Sequence, residues 1–343
     1  KLAHPTLALL VFLFSCAPVL AGGGDSKPPA LEETPASPPQ AVPAGTARET
    51  IVANELTGDL LEIHFLDVGQ GDGLIIKTPG GKYMMVDVGT RGSRRTTIPY
   101  LRKLGVKKMD ILLTHSHADH AGSLIYLLGA FEVGTLYSSG HFHGAKFIAK
   151  GLKKAEELGV KMVTVKRGDQ VEVEEGFVIK VMHPPKYWDL EVEDLNNTSV
   201  VTQVSFGEID FLLTGDAEKK AERSMLKTKL DLRSEFLKIG HHGSKTATTE
   251  RFLDRVLPLF GVVSCGTNNM FKHPHPETLK KLKVRDIAVL RTDEAGTIVV
   301  STDGKKVTIK VLGKEPKPES FRIRRPGPGR MFIILNQGGF DAC

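Results

Sequence analysis

Residues able to bind a metal ion recur in this chain where apolar runs stop. His115, His117, Asp119 and His120 directly follow the run Met109–Leu113, in the stretch LLTHSHADHAGSL. Asp87 closes YMMVDVG, Asp216 closes IDFLLTGDAE, and His241 and His242 close EFLKIGHHGSK. Short apolar runs bounded by turn residues read as buried β-strands. A buried strand gains no packing from imidazoles or carboxylates at its end, since such groups cost free energy when buried without partners. Repeated at several strands, the pattern constrains the chain to a fold that gathers these strand ends at one edge.

The segments between fit such a fold. Leu60–Val68, Gly73–Lys77 and Tyr83–Asp87 read as strands, the last two joined by the turn signal Thr78-Pro79-Gly80-Gly81. Thr97–Leu104 reads as a short helix. Phe147, Ile148, Leu152, Ala155 and Leu158 recur at helical spacing, and Gly159 stops that helix. Strands Val160–Val165, Val171–Val173 and Phe177–Met182 complete a first half. A second half offers strands Ser199–Phe206, Ile209–Thr214, Glu235–Ile239 and Phe260–Cys265, with helices Ala217–Leu226, Thr249–Val256 and Pro276–Leu282. Two β-rich halves that each supply helices predict an α/β fold: two sheets face to face with helices outside, a four-layer αββα sandwich.

At 41% hydrophobic and 25% charged, the 343-residue chain can bury an ordinary core. Its net charge of +6 permits an anionic partner, nucleic acid or a phosphoester, without requiring one. Residues 1–21 read as an export signal: Lys1 and His4 precede the apolar run Leu7–Phe14, which is too short to span a bilayer. Cleavage after Ala21 is one exit. The other is a lipobox, Leu13-Phe14-Ser15-Cys16, in which a lipid on Cys16 gives the only expected membrane attachment. The expected location is therefore outside the bacterial cytoplasm: periplasmic, extracellular or lipid-anchored at the envelope. Residues 22–55 are a Pro/Ala/Gly-rich linker and 314–343 a basic Pro/Gly-rich tail, leaving 56–313 as the folded domain. Cys16, Cys265 and Cys343 imply no disulfide framework.

Imidazole and carboxylate together suit zinc, and equally manganese or iron. His115 and His117, at i and i+2, face one way on extended backbone. Asp119-His120 begin a helix through Ala121–Leu128, whose positive end helps keep the carboxylate ionised. Two adjacent pairs aimed at different sides predict two divalent ions, with Asp216 the leading bridge between them. Such a pair activates water near neutral pH and clamps the attacking and leaving oxygens of a displaced group.

The order Asp87, His115-x-His117-x-Asp119-His120, Asp216, His241 resembles the metallo-β-lactamase superfamily, over roughly residues 58–312. IHFLDVGQGDGLIIKTPGGKYMMVDVG, LNNTSVV, LLTGDAE, IGHHGSKTA, HPHPE and RTDEAGTIVVSTDG are similar to the hydrolase domain of ComEC-type competence proteins. That resemblance implies His115 and His117 on a first zinc or manganese ion, Asp119 and His120 on a second, and Asp216 bridging. It implies His241 completing the second site, with the adjacent His242 as the alternative, and Asp87 supporting the cluster by hydrogen bonds. Where the superfamily often has a third histidine, this chain has Leu195-Asn196-Asn197-Thr198-Ser199, so Asn196, or less readily Asn197, becomes a weaker oxygen ligand and manganese gains over zinc.

Further motifs surround these. Asp67-Val68-Gly69-Gln70-Gly71-Asp72-Gly73 lacks the Lys-Ser/Thr ending of a phosphate loop and reads as a tight strand connection, with Gln70 and Asp72 at the rim. Gly243-Ser244-Lys245-Thr246 offers backbone N–H groups and a lysine to a substrate phosphate. His273 and His275, stiffened by Pro274 and Pro276, are positioned to bind phosphate or stabilise a leaving oxygen. Arg91, Arg94 and Arg95 form a loop able to steer an anion. The expected activity is that of an exported metallohydrolase cleaving phosphodiesters, with Asp119, Lys245 and His275 as catalytic groups. The competing readings are a hydrolase of small esters, lactones or phosphocholine-type groups, and a non-catalytic module with a structural metal. The intact ligand motif argues against the last. No protein partner is expected.

Overall fold

Side chains alternate across a strand, so every sheet presents two faces, and here the apolar residues divide between them. The computed structural model describes residue 56 and residues 58–187, 194–313 and 333–336. The expected export signal 1–21 with Cys16, the linker 22–55 and most of the tail 314–343 lie outside the described residues.

The chain first lays down β1 (Leu61–Phe65), β2 (Gly73–Lys77), β3 (Tyr83–Val88), α1 (Arg94–Lys103), β4 (Lys108–Leu113), the short helices α2 (Ala118–Ala121) and α3 (Leu124–Leu128), β5 (Glu132–Ser138), α4 (Lys146–Glu157) and β6 (Lys161–Thr164). It continues with β7 (Gln170–Glu174), β8 (Phe177–His183), β9 (Val201–Phe206), β10 (Ile209–Leu213), α5 (Lys219–Leu226), β11 (Phe236–Lys238), α6 (Glu250–Val256), β12 (Phe260–Val263), α7 (Pro276–Lys283) and β13 (Ala288–Arg291). After the one-turn α8 (Thr292–Ala295) come β14 (Thr297–Thr302), β15 (Val307–Leu312) and β16 (Ile333–Asn336). One sheet runs β16-β15-β14-β1-β2-β3-β4-β5-β6 and the other β13-β12-β11-β10-β9-β8-β7.

Three apolar clusters define four layers. Leu61, Ile63, Phe65, Leu74 and Val86 from one sheet meet Val204, Phe211, Phe236 and Phe260 from the other in a central core. Phe211, Phe236 and Phe260 stack there with centroids 4.7 and 4.8 Å apart. The opposite face of the first sheet, with Ile75, Met85 and Ile111, packs under Leu101, Leu127 and Ile148 of α1, α3 and α4. Leu212, Leu237 and Val263 on the outer face of the second sheet receive Met225, Leu253 and Leu282 of α5, α6 and α7. This is the αββα sandwich, and each layer follows from strand alternation meeting a helical stripe.

The division into halves differs from the sequence expectation. Strands β7 and β8, grouped there with the first half, belong to the second sheet, because β8 pairs antiparallel with β9. Conversely β14 returns to pair with β1. The expected helix through 121–128 breaks at Gly122-Ser123 into α2 and α3. Strands β5, β13, β14 and β15 have no counterpart in the expectation. Within the expected tail, Ile333–Asn336 pairs in parallel with β15 and extends the first sheet. Among the described residues no helix is long and apolar enough to cross a membrane.

Candidate metal centre

Parallel strands put their C-terminal ends on one edge. β3 and β4 are parallel neighbours in the first sheet, as are β10, β11 and β12 in the second. Asp87 near the end of β3, and the loops leaving the other ends with His115–His120, Asp216, His241-His242 and His273–His275, are brought together by the structure.

Asp216 is the hub. Its Oδ2 lies 3.2 Å from His120 Nε2, 3.4 Å from His242 Nε2, and 3.9 Å from the Nε2 atoms of both His115 and His241. Asp119 Oδ2 stands 3.3 Å from His242 Nε2 and 3.9 Å from His120 Nε2. His115 Nε2 and His117 Nδ1 face each other at 2.9 Å. Asp119, His120, Asp216 and His242 thus converge, and of the two alternatives His241 and His242 it is His242 that stands beside Asp119 and His120. Gly240–Gly243 form a tight turn in which His241 and His242 both adopt left-handed backbone, φ 48° and 53°. Non-glycine residues adopt such φ values at an energetic cost, and they concentrate at functional sites. The turn aims the two adjacent rings apart, at an interplanar angle of 65°.

Three of the rings are fixed from behind. His120 Nδ1 donates to Asp87 Oδ2 at 2.7 Å, His241 Nδ1 to Glu218 Oε1 at 2.7 Å and His242 Nδ1 to the Ser264 carbonyl at 2.9 Å. Asp87, itself at φ 58°, accepts the Thr114 backbone N–H at 2.8 Å and its hydroxyl at 2.6 Å. Protons on these Nδ1 atoms leave the Nε2 lone pairs toward Asp216, the arrangement that metal-binding histidines use.

The centre fits a cation. His120 Nε2, His242 Nε2 and Asp216 Oδ1 are buried and accept or donate no hydrogen bond. Burial pushes the Asp216 carboxyl up, but His120 and His242 outweigh it and hold the group well below the usual carboxylate range. Burial likewise pushes His120 and His242 down, yet Asp216 and the neighbouring carboxylates carry both well above the ordinary imidazole value. The carboxylates here therefore demand positive charge, which divalent ions supply in place of protons.

Two residues that sequence reasoning placed elsewhere lie beneath. Asp72, expected at the rim, is fully buried, and it groups with His120, Asp216 and His242 so that one ligand-type atom of each lies within 4.8 Å of the others. It nevertheless approaches the imidazoles from the Nδ1 side, 3.4 Å from His242 and 4.0 Å from His120, opposite the face turned to Asp216. Its Oδ2 is 2.9 Å from the ammonium of Lys238, which is also buried and lies within the expected strand Glu235–Ile239. We place Asp72 behind the histidines on this geometry. Gly71 lets the connection pass: a Cβ there would lie 2.3 Å from the Asp119 carbonyl. Glu218, also missed, follows Asp216 by two positions.

The rim differs in part from expectation. The N–H groups of Ser244, Lys245 and Thr246, expected to cradle phosphate, are taken by His241 O, His275 Nδ1 and Ser244 Oγ at 2.8, 3.0 and 3.3 Å. Ser244 is buried with its hydroxyl against Thr246, so only the exposed Lys245 side chain is left for a substrate. His273 is buried beside His241 and His275, with ring centroids 5.4 and 4.8 Å apart. Asn196 Nδ2 lies 3.5 Å from the His241 ring nitrogens, and its buried Oδ1 has no hydrogen-bond partner. Asn197 instead caps α5, accepting from Glu218 and Ala221 N–H. Arg91 and Arg94 gather on the Tyr126 ring, 5.9 and 4.5 Å from its centroid.

Known proteins are similar to this chain in sequence. The ComE operon protein 3 of Bacillus subtilis (strain 168) is 32% identical over 255 residues, which is 69% of this chain and 32% of that protein. Competence protein ComA of Neisseria gonorrhoeae is 29% identical over 76% of this chain and 33% of its own length. Recombination protein 2 of Haemophilus influenzae is 29% identical over 73% of this chain and 30% of its own. The chain thus spans about a third of the length of these relatives. The family model of the metallo-beta-lactamase superfamily matches residues 66–266, which takes in the cluster from Asp72 to His242. With that match over more than half its length, the chain belongs to the metallo-β-lactamase superfamily.

Proposed function

We propose that this metallohydrolase cleaves phosphodiesters of nucleic acid at a centre of two divalent ions, zinc or manganese. His115, His117 and His241 would hold one ion, Asp119, His120 and His242 the other, and Asp216 would bridge them, with Asn196 beside the first. Bound there, such ions polarise a phosphoryl group and activate water.

The observation that carries the reading is the pairing of His275 with Lys245. The Lys245 backbone N–H donates to His275 Nδ1 at 3.0 Å, so the neutral ring keeps its proton on Nε2. His275 is half-buried, a fixed N–H donor suited to a leaving oxygen, and the exposed Lys245 ammonium adds charge against a phosphate. A neutral ester or lactone makes no use of that ammonium. Relatives named for competence and recombination support nucleic acid as the substrate. The signal-like residues 1–21 support action outside the cytoplasm.

The test is hydrolysis of single-stranded DNA, bis-p-nitrophenyl phosphate and a lactone, each with manganese or zinc. Phosphodiester cleavage should exceed lactone cleavage, and His275→Ala should lower it by roughly 10²–10⁴-fold, the range of a positioned acid–base group, with bound metal unchanged. Faster lactone hydrolysis, indifferent to His275→Ala and Lys245→Ala, would instead establish the small-ester reading.

A further inference from the structure

The loop between β12 and α7 carries two exposed apolar side chains, Met270 and Phe271, the latter 54% exposed. Single exposed apolar residues are common and need no explanation by themselves. Phe271 differs in what lies beneath it. Its ring stacks on His273 with centroids 5.7 Å apart and planes 24° apart. The His273 ring is in turn 6.3 Å from His242 and only 29° from parallel with it. One ring therefore separates Phe271 from the cluster around Asp216.

Hydrogen bonds hold the loop around His273. Asn269 accepts the His273 N–H at 2.9 Å and donates through Nδ2 to the carbonyls of Gly266 and His273 at 2.9 and 2.6 Å. Gln70, from the loop that also bears Asp72, accepts the Gly266 N–H at 3.2 Å and brings Nε2 within 3.5 Å of His273 Nδ1. Lys272, beside Phe271, is exposed. An aromatic face stacked on His273, with a lysine next to it in sequence and one ring from the proposed phosphodiesterase centre, meets the two needs of single-strand binding, a stacking surface and a charge for the backbone. An aromatic side chain also loses little conformational freedom when it engages a flat partner.

We propose that Phe271 is a stacking platform for an unpaired base of a single-stranded polynucleotide, next to the phosphate held at the metal centre. This rests on the phosphodiesterase reading and assigns that site its strand preference. A base within a duplex already stacks on its neighbours and is denied to the ring.

The test is fluorescence anisotropy of the metal-loaded protein with three phosphorothioate probes: an oligothymidylate, its abasic counterpart and a duplex. Phe271→Ala should weaken oligothymidylate binding about 5- to 150-fold, as expected for one lost base–aromatic stack. Abasic and duplex binding should stay within twofold, Phe271→Trp should restore oligothymidylate binding, and Met270→Ala should leave it alone. Equal loss on all three probes, or no loss on oligothymidylate, overturns the proposal while leaving phosphodiester cleavage by the wild type intact. If the wild type neither binds these probes nor cleaves any phosphodiester, the underlying reading fails as well.

Discussion

Lys238 is the least expected residue near the centre, and its removal has a calculable effect. The ammonium lies 2.9 Å from Asp72 Oδ2, and both side chains are buried. Burial pushes the Asp72 carboxyl up, but Lys238 and His242 more than compensate and bring it down to about 2. At an effective dielectric of about 20, unit charges this close attract by roughly 6 kcal/mol. Separating a buried pair by deleting one partner typically costs about 3–5 kcal/mol, because the other charge stays behind uncompensated. Lys238→Met should therefore lower unfolding stability by about 3–5 kcal/mol, a large share of the roughly 5–15 kcal/mol of an ordinary domain. Urea denaturation followed by circular dichroism measures it. The double variant Asp72→Asn with Lys238→Met removes both charges and should recover more than half of the loss. A Lys238→Met cost below about 1 kcal/mol, the level of a solvent-exposed pair, would refute the argument. So would a double variant as unstable as the single one.

Other perturbations separate the roles at the centre. Asp216→Ala should remove bound metal almost entirely, as read by plasma mass spectrometry, because all four nearby Nε2 atoms converge on that carboxylate; retention of a full ion would contradict its place as hub. His242→Ala should lose more metal than His241→Ala, and the reverse order would return His241 to the position first expected of it. Glu62 gives a pH test away from the metal. Its hydrogen bond from His64, then the Lys77 ammonium, hold it down to about 2 against burial, from an ordinary 4.5. A depressed carboxyl stabilises above its unfolded value and loses that contribution as pH falls toward its folded value. Glu62→Gln should be less stable than wild type at pH 7 by roughly 2–3 kcal/mol, and the gap should close between about pH 4.5 and 2. A gap independent of pH would show that the carboxylate charge does not matter there.

Much of the site was legible because its residues follow strands whose apolar patterns are strong. His115, His117, Asp119, His120 and Asp216 stand out as ligand-type residues at strand ends, while their division between two ions is what the family resemblance implies. What stayed hidden depended on information that is not local. The choice between His241 and His242 turns on two left-handed residues in a tight turn, which neither composition nor periodicity reveals. Lys238 sits within an apolar strand, so its charge becomes meaningful only when the β1–β2 connection delivers Asp72 beneath it. The backbone N–H groups after Gly243 looked available because His275, which takes one of them, lies some thirty residues on. Sheet membership failed for a similar reason: β7 and β8 read correctly as strands, but only the pairing of β8 with β9 assigns them to the second sheet.

The pairing of β1 with β14 has a temporal meaning. Leu61 is registered against Thr302, so β1, the first strand among the described residues, finds one of its two neighbours only when nearly the whole domain has emerged from the ribosome. Until then one side of β1 is an open edge, a template for pairing with another chain. Contacts so distant in sequence also form slowly. Synthesis halted before Thr297 would leave that edge without a mate and the nascent chain prone to aggregate. The connection that leaves β1 carries Gly71 and Asp72 under the histidines, so misassociation along that open edge would also reach the support of the metal centre.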